Sequence, residues 1–137
     1  REAYLVIDDT ALPKKGQHSV GVAPQYASAL GKTANCQTLV SATLAMGEVP
    51  VGLRLFLPES WVADPARLDK AGVPHEHRTF RTKPEMALSE IDRAVVAGVT
   101  FGVVLADAGY GLSASFRQGL SSTFRNLIGR GQRDDRR

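Results

Sequence analysis

The sequence is poor in the features that most readily announce a function. It holds one cysteine, Cys36. A lone thiol closes no internal disulfide, so the fold stands on packing alone, as suits a reducing cytoplasm. Cys36 begins a strand-like run with no histidine beside it in sequence, so a buried structural role is expected of it rather than a nucleophilic one. No apolar run approaches the roughly 20 residues that cross a bilayer, and no membrane partner is expected. No signal peptide is visible: Arg1-Glu2-Ala3 leads straight into a strand, and the chain begins without Met, as a fragment or a processed product would. Lys15-Gly16 lacks the Gly-Lys-Ser/Thr order of a phosphate loop. His18, His75 and His77 lack the paired Cys and His spacings of a zinc site.

What remains fits one globular domain of 137 residues. The net charge is +3, and its position matters more than its size. Residues 121–137 carry five arginines against two aspartates, so this tail holds the whole excess and residues 1–120 balance to zero. We therefore expect a folded domain over 1–120 and a basic, disordered tail over 121–137, which could also hold phosphates.

Read in order, Tyr4-Leu5-Val6-Ile7 is an apolar run that ends in Asp8-Asp9-Thr10. Thr10 to Ser19 reads as a loop and Ser19 to Thr33 as irregular, with Gly21, Pro24 and Gly31 as breaks. Cys36, Thr38, Val40, Ala42, Leu44 and Met46 alternate along one face of a strand, and Gly47 to Pro50 turns it into a second alternating run, an antiparallel hairpin. Asp64-Pro65 caps a short helix that Gly72 stops. Thr82-Lys83-Pro84-Glu85 is a capping box that opens a helix with the stripe Ala87, Leu88, Ile91, Ala94 and Val95, ended by Gly98. A second acid-tipped strand follows, Val103-Val104-Leu105-Ala106-Asp107, and then a short helix from Ser113 to about Leu120. This order implies an α/β fold with a mixed sheet.

An ionised carboxylate in an apolar interior is prohibitively costly unless it is paired or metal-bound. The acids therefore lie at a strand mouth, at a cleft or beside a cation. On neighbouring strands two such carboxylates approach within about 5 Å, and a hard divalent cation relieves their repulsion. Phosphoryl transfer on nucleic acid is the chemistry such a pair serves. The plainer alternative, aspartates bonded to nearby loop amides, stands beside it.

Three groups of segments extend the pattern: Tyr4 through Ala23; Gly31 through Gln37 with Leu55 through Trp61; and Thr82 through Glu85 with Val104 through Gly111. In combination these resemble the catalytic segments of bacterial insertion-sequence transposases of the DDE superfamily. The resemblance implies a ribonuclease H-like α/β fold, here incomplete, with the first catalytic Asp on the first strand and the second on the fourth. Carried over, the second falls on Asp107 and the first on Asp8 or Asp9, which point to opposite faces of a strand. It implies Mg²⁺ or Mn²⁺ on these aspartates, and DNA, as transposon ends and target, as the partner. A homodimeric, cytoplasmic and nucleoid-associated parent goes with it. Lys14, Lys15 and Lys32, read as loop residues near the first Asp, are candidates for phosphate contacts. The family's third acid, a downstream Glu, has no counterpart here, so we expect a truncated or frame-shifted piece without strand-cleaving activity of its own. A remnant that binds nucleic acid through the basic tail is the second reading.

Overall fold

The alternating runs predicted from the sequence do form strands, and the strands are longer than the patterns suggest. The structure, a computed structural model, describes residues 3–45, 47–106, 110 and 116–123. Among these the chain order is β1 Tyr4–Pro13, β2 Ala23–Ala27, β3 Lys32–Leu44, β4 Val49–Phe56, α1 Glu59–Val62, α2 Pro65–Ala71, α3 Lys83–Val96 and β5 Val103–Leu105. Residues 116–123 are helical as well. The strands make one sheet in the order β2-β3-β1-β5, with β4 also paired to β3. β5 runs parallel to β1 and β2 antiparallel to β3. The expected mixed sheet with flanking helices is therefore present.

β1 continues five residues beyond Asp8 because β3 offers it a partner. Ala45 N–H donates to Tyr4 O and Lys14 N–H to Asn35 O, so the start of β1 meets the end of β3 and the reverse, an antiparallel pair. Pro13 is tolerated as the last residue of the strand. β2 falls in the stretch expected to be irregular. Its Pro24 suits a strand that ends the sheet order, where a missing N–H donor does least harm. On β3 the expected face is realised from Cys36 to Ala42, with Cys36, Thr38, Val40 and Ala42 buried; Leu44 is half-buried and Met46 lies outside the described residues. Gly47, at φ 84, makes the turn into β4.

The chain divides into two units, and β1, β3 and β4 contribute residues to both. Unit 1 holds residues 1–8, 41–53 and 83–137. Its core is the stripe of α3, with Met86, Ala87, Ile91, Ala94 and Val95 buried, together with Leu5, Ile7, Ala42, Phe101, Tyr110 and Phe116. α3 ends as the sequence indicates. Gly98 N–H bonds Val95 O and Val99 N–H bonds Ala94 O, with Gly98 at φ 91, which is the Schellman pattern. α3 lies against β4 where Gly52 leaves room: a Cβ there would stand 3.0 Å from the Cβ of Glu90. Glu90 is itself buried and ion-paired to Arg93 at 3.3 Å, a position the apolar pattern did not anticipate. The segment 116–123 packs Gly119 against Leu88 and bonds Thr123 Oγ1 to Asp92 at 2.7 Å. It runs three residues past the expected helix end.

Unit 2 holds residues 9–40 and 54–82. Its cluster is Val22, Trp61, Leu68 and Val73, with Val20, Leu57 and Ala71 against it. The long excursion after β4 is thus ordered, and Trp61 is core. α2 has both predicted stops. Asp64 Oδ1 accepts from Arg67 N–H at 3.1 Å, Pro65 fills the first turn, and Gly72 closes the helix at φ 73. Asp64→Ala should cost about 0.5–2 kcal/mol, read as a fall in the urea midpoint. An unchanged midpoint would mean that the cap contributes nothing.

Candidate acid site on neighbouring strands

Sequence counting places the two acid strands in one sheet, and the sheet makes them adjacent. Tyr4 is opposite Val103, Leu5 opposite Val104 and Val6 opposite Leu105, in parallel register. Parallel neighbours need a long crossover, and the chain supplies one through β2 to β4 and the three helices. The apolar residues of the two strands set the pairing, because Leu5 and Ile7 are buried at 0% and 3% exposure.

The strand's two-residue period then separates the two candidate aspartates. Asp9 continues the side of Leu5 and Ile7 and is half-buried; Asp8 continues the side of Tyr4 and Val6 and is exposed. The Asp8 carbonyl accepts from Ser41 Oγ of β3 at 3.3 Å, which fixes the backbone at the acid. Asp8 belongs to unit 1, as do all residues from Lys83 onward. Asp107 lies outside the described residues, whereas Leu105 and Ala106, which lead to it, are exposed. Among the described residues, no group of three or more His, Cys, Asp or Glu side chains is gathered as a metal would need. His75 and His77 sit in an exposed 3₁₀ turn.

Lys14 and Lys15 lie in the expected loop, after the end of β1, and Lys32 does not. Lys14 follows Asp8 by six residues of extended chain, about 20 Å, because β1 runs on to Pro13. Lys32 is the first residue of β3 and not a loop residue. All three lysines are exposed and belong to unit 2. Asn35 holds the lysine loop by donating to Lys14 O at 2.9 Å and to Gly16 O at 2.8 Å. Arg67 and Lys70, to which the sequence reading gave no role, carry further positive charge in unit 2. Their spacing of three on a capped helix, which places both on one face, was the available signal.

Among the described residues, no helix is long and apolar enough to cross a membrane. Comparison with curated proteins and with solved structures gives no match. Comparison with protein families does: the DDE superfamily endonuclease family matches residues 1–136. The five-strand mixed sheet with flanking helices is consistent with the ribonuclease H-like fold of that family. With nearly its whole length matched, the chain belongs to the DDE superfamily endonucleases, a transposase-type nuclease domain.

Proposed function

We propose that this chain is the part of a transposase that carries the first two catalytic acids, Asp8 and Asp107, and that its parent cleaves and joins DNA strands with Mg²⁺ or Mn²⁺. The observation that carries this is the parallel register of β1 and β5. Asp8 comes two residues after Val6, and Asp107 two residues after Leu105, the partner of Val6. Level positions on adjacent parallel strands are about 5 Å apart, so carboxylates at both would be suited to hold one cation. The exposure of Asp8 suits an ion that keeps several waters and takes one or two protein carboxylates. Asp9, on the buried side of β1, is the poorer candidate for that cation, so the choice left open between the two goes to Asp8.

A bound divalent cation supplies an activated water and stabilises the leaving oxygen in phosphodiester cleavage. The protein's share is position. The β1–β5 ladder fixes the spacing of the acid strands, and Ser41 anchors the backbone at Asp8. Insertion-sequence origin, a DNA-bound homodimeric parent and a basic tail belong to the same reading; of the 121–137 tail, residues 121–123 continue the helix from 116, and 124–137 lie outside the described residues.

Calorimetric titration of the purified chain with Mn²⁺ tests it. Wild type should bind, Asp8→Asn and Asp107→Asn should each weaken binding at least about tenfold, the scale of one lost charge-assisted ligand, and Asp9→Asn should change it little. Equal binding by all four proteins would remove the metal site. Loss in Asp9→Asn alone would transfer the ligand role to Asp9.

A further inference from the structure

A concave feature lies wholly within unit 2. It is a cleft of ≈ 360 Å³ lined by Gln17, His18, Trp61, Arg67, Lys70 and Ala71. That size falls among small-ligand sites, about 300–1,000 Å³. Its lining has two sources. Loop residues Gln17 and His18 form one wall, and the face of α2 with Arg67, Lys70 and Ala71 forms the other.

The cleft is built rather than accidental. Arg67 Nη2 donates to Gln17 O at 2.8 Å and reaches Val22 O at 3.5 Å, so the guanidinium ties helix to loop. Its Cζ sits 3.7 Å from the centre of the Trp61 ring, and Trp61 Nε1 donates to Val22 O at 2.7 Å. The platform under the charge is therefore fixed. Nearby acids are committed elsewhere: Asp64 caps α2, and Asp69 is paired to Arg78 at 2.7 Å. Among the described residues, no carboxylate is paired with Arg67, Lys70 or His18. Two carbonyls in the last turn of α2 are capped, Asp69 O by Gly72 N–H and Leu68 O by Val73 N–H.

We infer that this cleft binds a backbone phosphate of DNA, held by Lys70 and the remaining N–H groups of Arg67. Stacking of a base on Trp61 is blocked because Arg67 covers the ring face, so recognition is of charge and independent of sequence. The loop that lines the cleft also carries Lys14 and Lys15, both exposed. The choice of DNA over other phosphates rests on the endonuclease reading; the anion site itself does not.

Trp61 is the only tryptophan in the sequence, so its emission reports on the cleft. The test titrates the intact chain with a short DNA duplex in EDTA, which removes metal and leaves the acid site out of the measurement. A saturable change in Trp61 emission is expected. Lys70→Gln should weaken the association about threefold or more and lower the slope of log affinity against log salt by about 0.9, the loss of one phosphate contact. An emission indifferent to the duplex, or a Lys70→Gln titration that matches wild type in affinity and slope, would overturn the inference. A response to inorganic phosphate with none to the duplex would overturn the assignment to DNA. None of these results bears on Mn²⁺ binding by the aspartates, so the two proposals fail separately.

Discussion

Trp61→Ala is expected to cost about 3–5 kcal/mol of stability, the scale of a large aromatic removed from a packed site. Trp61 is 1% exposed and fills the centre of the unit 2 cluster, against Val22, Leu68 and Val73. Three effects add. The cavity left behind is lined by aliphatic side chains that relax only partly. Val22 O loses the indole N–H at 2.7 Å. Arg67 loses the ring beneath its guanidinium and with it part of what holds α2 to the loop. Urea denaturation followed by far-ultraviolet circular dichroism measures the loss, since the variant has no tryptophan to observe. A cost below about 1 kcal/mol would show that the cluster does not hold unit 2 together. Trp61→Phe should fall between the two, because it keeps most of the volume and loses the hydrogen bond.

Gly21→Ala is the second large expectation, and it acts through the backbone. Val22 N–H bonds Ser19 O at 3.0 Å, and Gly21 is the third residue of that turn at φ 77. A type II turn requires a positive φ at this position. A side chain there costs roughly 1–2 kcal/mol from left-handed geometry alone. The added Cβ would also stand 2.9 Å from Phe56 O, a backbone atom that cannot rotate away. Overpacking of this kind adds about 1–3 kcal/mol. The urea midpoint should therefore fall as if about 2–5 kcal/mol were lost, and a midpoint like wild type would sink the argument. The double variant with Trp61→Ala should cost less than the two singles combined, because both act on the position of Val22 and neighbouring sites couple.

The parts of this fold that the sequence makes legible are those with one strong periodic or stop signal. Cys36, Thr38, Val40 and Ala42 alternate without interruption, and all four are buried. α2 and α3 are bounded by Asp64, Gly72 and Gly98, residues whose backbone chemistry leaves little choice. β2 was hidden because Pro24 and Gly21 argue against a strand when read locally, and what makes it one is the partner β3, with Tyr26 opposite Thr33 and Ala27 opposite Lys32. The last five residues of β1 were hidden for the same reason. Glu90 was missed because a charged residue on the buried side of a helix is invisible to a hydrophobic count, and its place depends on the space at Gly52. For the acid site, sequence predicted that the strands of Asp8 and Asp107 are neighbours. It left Asp8 and Asp9 open, since two adjacent residues of a strand differ only in which face they take, and the burial of Leu5 and Ile7 separates those faces.

The pairing of β1 with β5 joins positions separated by almost the whole folded chain, Val6 with Leu105. Contacts so distant in sequence form slowly, since a long loop must close before they are rewarded. During synthesis at about 5–20 residues per second, β1 waits several seconds with one edge open. Residues 9–40 and 54–82 can mature meanwhile, because the cluster around Trp61 uses none of β5. A ribosome-bound chain thus presents a settled Trp61 region long before β5 has emerged and docked against β1.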